Sequence, residues 1–139
     1  MLVTLTGAAM VHNDDIRMPP LADNSTYGNI DQIRTEHLQL YLDVDFDNRT
    51  LSGVANHVMD VVAETDIAQF DVWNLSIESV ADGNSSAALN FTVSSPNPKI
   101  GSVLQVKLGR TVQPGEQVIL VIAYSTSPTG QAFSWLNAE

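Results

Sequence analysis

The sequence lacks cysteine, and basic and aromatic residues are scarce in it. Without cysteine the chain forms no disulfide, no thiolate zinc site and no cysteine nucleophile. Six Lys and Arg residues stand against 16 Asp and Glu residues, which gives a formal net charge of −10. Nucleic acids and anionic membranes both require cationic partners, so we expect the chain to bind neither.

Long apolar runs and the common catalytic motifs are also absent. No run approaches the roughly 18 apolar residues that a membrane helix needs. The patterns G-x-G-x-x-G, G-x-x-x-x-G-K-[ST], G-x-S-x-G and H-E-x-x-H do not occur, which removes the usual signals of nucleotide binding, serine hydrolysis and zinc peptidase chemistry. The sequence therefore predicts no catalytic, cofactor-binding or metal-binding residue on this chain.

Alternation of apolar and polar residues dominates the part of the chain after residue 34. The first such stretch carries Leu38, Leu40, Leu42, Val44 and Phe46 at every second position, which is typical of a strand with one buried face. Similar stretches, separated by turn signals, recur at spacings of roughly 8 to 12 residues. We predict an all-β fold, an antiparallel sandwich or saddle of about seven to eight strands.

Three strand pairings and positions are specific enough to check. Residues 51–63 are predicted to pair with the first strand as a long hairpin. The turn containing Asp82 and Gly83 is predicted to join residues 75–80 and 88–94 as a second hairpin, because Asp-Gly favours the positive φ of primed turns. The run at 118–124 is the most apolar of the chain, so we place it in the interior of a sheet.

The two ends of the chain differ from its middle. Residues 1–34 show no sustained period and include Pro19 and Pro20, so we predict an irregular, extended or loosely docked leader. Residues 35–139 form the predicted β domain. Apolar Phe133, Trp135 and Leu136 come just before the last residue, so we expect a truncated domain with this apolar surface exposed.

The histidines are the first candidates for a metal site. His12 lies in the leader, whereas His37 and His57 lie on the two strands of the first predicted hairpin. Glu36 and Asp60 would have to complete a ligand set there. No pair has the i, i+4 helical spacing of a zinc peptidase motif, so the favoured interpretation is half-exposed strand histidines.

Asp43, Asp45 and Asp47 are a second candidate, as oxygen ligands for calcium. Their D-x-D-x-D spacing resembles part of a calcium-binding loop. However, Asn48 and Val54 occupy the positions where such a loop has glycine and glutamate. A solvated strand face is therefore favoured over a calcium site.

Two groups of residues resemble a known family. Near the start of the β domain are residues 35–40 (Thr-Glu-His-Leu-Gln-Leu), 44–46 (Val-Asp-Phe) and 49–53 (Arg-Thr-Leu-Ser-Gly). Near its end are residues 123–128 (Ala-Tyr-Ser-Thr-Ser-Pro) and 132–136 (Ala-Phe-Ser-Trp-Leu). This pattern resembles the N-terminal domain of the leukotriene A(4) hydrolase family of zinc aminopeptidases.

The resemblance implies a fold and a role. It implies a β-saddle that packs on a catalytic domain and walls the cleft for a peptide substrate. It implies zinc in the intact enzyme, with the zinc-binding and substrate-binding motifs beyond Glu139, so that this chain alone is inactive. Peptide N-terminal residue removal, epoxide hydrolysis in some members and a cytoplasmic location are further expectations from the family.

An alternative function stays open because the sequence contains five N-x-[ST] motifs. The asparagines of these motifs are Asn24, Asn48, Asn74, Asn84 and Asn90. Such motifs are acceptors for N-glycosylation in secreted proteins. They favour a free-standing, secreted and glycosylated β-sandwich binding module as the alternative to an aminopeptidase domain.

Overall fold

The computed structural model of the protein describes residues 25–129 and 135–136. In these ranges the regular structure consists of seven strands, which confirms the all-β prediction. They are β1 (Ile33–Asp45), β2 (Thr50–Val61), β3 (Thr65–Val72), β4 (Leu75–Asp82), β5 (Phe91–Val93), β6 (Ser102–Val112) and β7 (Gln117–Thr126). The described residues include no helix that is long and apolar enough to cross a membrane.

The strands form two antiparallel sheets that pack as a sandwich. The larger sheet has the order β1-β2-β7-β4, and the smaller sheet has the order β3-β6-β5. The predicted interior position of β7 is confirmed, since it pairs with β2 on one side and β4 on the other. Apolar side chains of both sheets build the core between them; the largest of the fully buried ones are Ile33, Val80, Leu104, Val106, Val112 and Leu120.

The predicted first hairpin is confirmed. β1 pairs with β2 in an antiparallel register that sets Leu38 opposite His57, Leu40 opposite Ala55 and Leu42 opposite Gly53. The register shifts between Thr35 and His37, so Glu36 forms a β-bulge. The strand begins at Ile33, which lies inside the predicted leader and is buried in the core.

The described part of the leader, residues 25–32, is irregular but firmly attached. Asn29 accepts a hydrogen bond from the Gln69 backbone N–H with its Oδ1 at 2.8 Å. Its Nδ2 donates to the Ile67 carbonyl at 3.1 Å. The Tyr27 backbone N–H donates to Asp71 Oδ1 at 2.7 Å. The segment thereby covers the edge of β3, where backbone groups would otherwise lack partners.

The second predicted hairpin is wrong. β4 lies in the larger sheet and β5 in the smaller one, so the chain crosses between sheets after Asp82 and only a single bridge joins Ala81 to Ala88. Asp82 accepts hydrogen bonds from two backbone N–H groups of the turn that follows it. In this turn Ser86, not Gly83, has the positive φ, at 59°. Asp82 and the residues after it determine the conformation of the turn. The packing of the two sheets determines that the chain crosses from one to the other.

Candidate functional site

The structure separates the histidines that the sequence offered as metal ligands. His57 faces the inside of the sandwich beside Ala55, while His37 pairs with Val58 and faces the opposite side of the sheet. Asp60 lies opposite Arg34, and His12 lies outside the described residues. In the part of the chain that the structure describes, no three His, Cys, Asp or Glu side chains come together as a metal site.

The acidic candidates lie on the outer face of β1 and in the turn after it. Asp45 accepts hydrogen bonds from the backbone N–H of Asn48 at 2.9 Å and from its Nδ2 at 2.7 Å. The backbone hydrogen bond and then the side-chain hydrogen bond from Asn48 lower the pKa of Asp45. Asp45 therefore closes the β1–β2 turn, and Asp43 and Asp47 are exposed beside it.

His57 has a specific environment at the inner side of the sandwich. Its Nδ1 lies 3.0 Å from Thr35 Oγ1 on β1, and its ring contacts the Phe70 ring with centroids 4.9 Å apart. Burial lowers the pKa of His57, because removing an imidazole from water disfavours its charged form. Burial thus favours the neutral form of His57. The side chain connects β2 with Thr35 on β1 and with Phe70 on the smaller sheet.

A cavity of about 250 Å³ lies beside His57 between the two sheets. Its walls are mainly apolar and include Leu40, Leu104 and Ile122, with Asp71 and Tyr124 as polar members. Burial raises the pKa of Tyr124. The Asp71 carboxylate is already engaged by the Thr26 hydroxyl and the Tyr27 backbone N–H. Mainly apolar walls of this kind suit an apolar group.

The apolar face of β1 is exposed, which corrects the prediction of a buried face. Here the β1 stripe means Leu38, Leu40, Leu42, Val44 and Phe46, whose side chains are between 42% and 77% exposed. The contact between His57 and Phe70 places β3, the edge of the smaller sheet, over β2. The described residues of the smaller sheet therefore cover β2 and leave β1 outside.

Two of the apolar residues near the end of the sequence, Trp135 and Leu136, lie in the described ranges. The Trp135 ring packs edge-on against Phe46, with centroids 6.0 Å apart and an interplanar angle of 86°. Leu136 is 91% exposed, as expected for this segment, and Phe133 lies outside the described residues. Together they extend the exposed apolar surface at the end of the β1 stripe.

The environment of His57 predicts a pH-dependent stability. The unfolded chain takes up the His57 proton first as pH falls, because burial lowers the pKa in the folded state. We therefore expect the melting temperature to fall between about pH 7.5 and about pH 5.5, on either side of the ordinary histidine value. We expect this fall in melting temperature to be on the order of 1–3 °C in the wild-type chain and to be absent in H57Q.

The control for this measurement is H37Q, which removes an exposed histidine from the opposite face of the same hairpin. Carboxylates with lowered pKa values, such as Asp45, lose their stabilising contribution at lower pH than this window. A melting-temperature profile that H57Q leaves unchanged would contradict the neutral, buried assignment of His57.

Comparison with known proteins connects this fold with a family. No protein-family profile matches the chain. Leukotriene A-4 hydrolase of Xenopus laevis is 28% identical to it over 123 residues, which are 86% of this chain and 19% of that protein. The resemblance seen in the sequence motifs is confirmed. Leucine aminopeptidase 2 of Pyricularia oryzae is also 28% identical, over 83% of this chain and 19% of its own length.

Solved structures show the same fold. Native yeast LTA4 hydrolase superposes with a TM-score of 0.70 at 21% identity, over 81% of this chain and 17% of that one. The M1 zinc metallopeptidase from Deinococcus radiodurans gives a TM-score of 0.58 at 15% identity, over 69% of this chain and 21% of that one. The chain thus spans about a fifth of the length of the curated relatives it matches.

Sequence reasoning missed the cavity and the exposure of the β1 stripe. The alternation of Leu38, Leu40, Leu42 and Val44 marked the apolar face correctly, but it carries no information on what covers that face. One sequence signal was available for the cavity: His57 and Tyr124 stand among apolar residues on the inner faces of β2 and β7. Polar groups at such positions accompany either a hydrogen-bonded core or an opening.

Proposed function

We propose that the chain is the structural and substrate-cleft domain of a zinc aminopeptidase like leukotriene A(4) hydrolase. The observation that carries the proposal is the 28% identity over 86% of the chain to the Xenopus laevis enzyme, together with the shared fold. In the intact enzyme this domain would wall the cleft for a peptide whose N-terminal residue is removed. Hydrolysis of an epoxide fatty acid is a second activity to measure there.

The described residues do not fit a zinc site of their own. Their two histidines face opposite sides of a sheet, and no group of three potential ligands forms in the described ranges. We therefore assign zinc and the bond-breaking chemistry to other parts of the intact enzyme. The contribution of this chain is the shape of the β sandwich and the surface that it offers to a catalytic domain.

The exposed β1 stripe supports a partner for this domain. A row of five large apolar side chains, four on β1 and Phe46 in the turn after it, costs free energy in water, since each buried valine, leucine or phenylalanine gains about 1.5–3 kcal/mol. Contiguous exposed apolar surface of this kind marks interaction sites in soluble proteins. A catalytic domain of the same enzyme is the partner we propose.

A chimera tests the proposed function. The matching fifth of the Xenopus laevis hydrolase would be replaced by this chain, and hydrolysis of an aminoacyl fluorogenic amide would be measured with and without a zinc chelator. We expect chelator-sensitive activity roughly 100-fold above that of the hydrolase with the segment deleted, because a misshapen cleft misplaces the substrate. The purified 139-residue chain should show none.

Folding of the chimera is the main experimental control. If it does not fold, the purified chain is mixed with the deleted hydrolase, and binding is measured by sedimentation. A folded, zinc-loaded chimera that is no more active than the deletion would refute the proposed role. Chelator-sensitive activity of the isolated chain would refute the assignment of all chemistry to other parts of the enzyme.

We also propose a cytoplasmic location, as is usual for the aminopeptidases that the sequence resembles. The matches give no support to the alternative of a secreted binding module. Asn48, Asn74, Asn84 and Asn90 are all exposed and so are physically open to modification, while Asn24 lies outside the described residues. We expect the native protein to have its unmodified mass, and a mass decrease on glycosidase treatment would contradict this location.

A further inference from the structure

The cavity of about 250 Å³ beside His57 is a candidate binding site that the proposed function does not use. It lies over the inner face of the larger sheet, where Ala55 on β2 is paired with Ile122 on β7. Ala55 is buried but has only a methyl side chain, whereas Leu104 lines the cavity from the smaller sheet. The small side chain of Ala55 therefore leaves space between the sheets.

The volume of the cavity sets the size of the ligand. An apolar cavity of about 150 Å³ binds benzene, whereas pockets for drug-sized molecules begin at about 300 Å³. A cavity of about 250 Å³ lies between these two sizes. It therefore has room for one aromatic ring with a short substituent.

The ring side chains on the wall favour an aromatic ligand. The His57 and Phe70 rings both line the cavity, with their centroids 4.9 Å apart and an interplanar angle of 57°. Tyr124 adds a third ring to the wall. Aromatic rings attract one another in tilted and offset arrangements, which adds to the gain from apolar burial. A planar ligand ring would continue this set of ring contacts.

The hydroxyl of Tyr124 is suited to orient such a ligand. Among the described residues, no group forms a hydrogen bond with this hydroxyl. Burial raises the pKa of Tyr124, so the hydroxyl keeps its proton and can both donate and accept a hydrogen bond. Because polar groups beside apolar walls gain from a hydrogen-bond partner, a ligand hydroxyl is favoured next to Tyr124.

The charges around the cavity exclude ionic ligands. The Asp71 carboxylate on the wall is engaged by the Thr26 hydroxyl and the Tyr27 backbone N–H, so it is no free partner for a cation. No lysine or arginine of the described residues lines the cavity, so an anion has no partner either. An ion would also lose its hydration against the apolar walls. The ligand is therefore neutral.

We propose that the cavity binds a small phenol, a neutral molecule of one aromatic ring with a hydroxyl group. The ring packs against Ala55 and Ile122, and its hydroxyl forms a hydrogen bond with the Tyr124 hydroxyl. A catalytic domain on the β1 stripe would close the cavity at Leu38 and Leu40 without filling it, since Ala55 and Ile122 lie deeper in the sandwich. The proposal does not depend on the aminopeptidase assignment.

Titration of the purified 139-residue chain with para-ethylphenol is the direct test. Shifts of the Ile122 methyl signals in NMR spectra give Kd, which we expect to be on the order of 1 mM for a ligand of this size. At about 10 mM the ligand should raise the melting temperature by about 3–6 °C. The anion para-ethylbenzoate should bind at least about tenfold more weakly, and the matching ethylcyclohexanol at least about threefold more weakly.

Matched variants place the ligand in the cavity. A55L fills the space beside Ile122, so it should abolish the methyl shifts and reduce the ligand-induced rise in melting temperature to less than about 1 °C. A123L is the control, because Ala123 is next to Ile122 on β7 but faces the opposite side of the sheet. Y124F removes only the hydroxyl and should raise Kd by about threefold to tenfold. It carries the test if A55L does not fold.

The outcomes separate this site from nonspecific association of a phenol with the protein. Methyl shifts of Ile122 that do not saturate in the wild-type chain would overturn the proposal. Equal binding of para-ethylphenol and either comparison compound would overturn the assigned ligand class. A rise in melting temperature that A55L and Y124F both leave unchanged would place the ligand elsewhere and so contradict the proposal. None of these results would affect the activity expected of the chimera.

Discussion

Replacement of Leu120 by alanine is expected to lower the free energy of unfolding by about 2–5 kcal/mol. Leu120 lies on β7 inside the larger sheet and is 0% exposed. Its removal takes apolar contacts from the core and leaves a void that tightly packed neighbours fill only in part. Small domains have a total stability of about 5–15 kcal/mol, so urea denaturation should show a large decrease in the midpoint.

L40A is the matched control for this prediction. Leu40 belongs to the same sheet and the same residue type, but its side chain is about half exposed on the β1 stripe. Since burial of a whole leucine side chain contributes about 1.5–3 kcal/mol, L40A should cost roughly 1 kcal/mol. A loss as large as that of L120A would mean that the β1 stripe is covered in the isolated chain, contrary to the structure.

Substitution of Gly53 by alanine is expected to destabilise the β1–β2 hairpin by about 3 kcal/mol, the upper end of the range for overpacking. A Cβ atom at Gly53 would clash with the carbonyl oxygen of Tyr41 and lie 3.0 Å from the Cα atom of Leu42. Both atoms belong to the backbone of β1, so no side-chain rotation removes the contact. β1 must move away from β2, which weakens their pairing.

Thermal denaturation and hydrogen exchange of the β1 amides would measure this effect. G115A is the control, because Gly115 has a φ of +87° but a Cβ atom added to it would have no neighbour within 4 Å. It should cost about 1–2 kcal/mol from the left-handed backbone alone. If G53A costs no more than G115A, the close approach of β1 and β2 at Tyr41 is wrong.

The sequence determined the features of the fold that follow from local pattern. The alternation from Leu38 to Phe46, with the turn at residues 47–50 and the extended stretch after it, predicted the β1–β2 hairpin correctly. The apolar run at residues 118–124 placed β7 in a sheet interior. Both predictions succeeded because side-chain period and turn chemistry act within a few residues of one another.

Prediction from local sequence failed where the structure depends on contacts between segments that are distant in the sequence. The Asp82-Gly83 pair predicted a hairpin, but the chain crosses from β4 to β5 between the two sheets. His37 and His57 lie on paired strands, yet they face opposite sides because Leu38, and not His37, is opposite His57. A shift of one residue in the register of β1 against β2 would reverse this arrangement, and the amino-acid composition does not reveal the register.

What the sequence determined by itself is the class of the protein: an acidic all-β chain without a catalytic motif, similar at both ends of its β domain to the aminopeptidase family. Only the tertiary structure decided which apolar faces are covered. The inner faces of β2 and β7 lie under the smaller sheet, whereas β1 extends past β3 and keeps its leucines half exposed. Alternation specifies that a face is apolar, but the packing of distant strands specifies what lies against it.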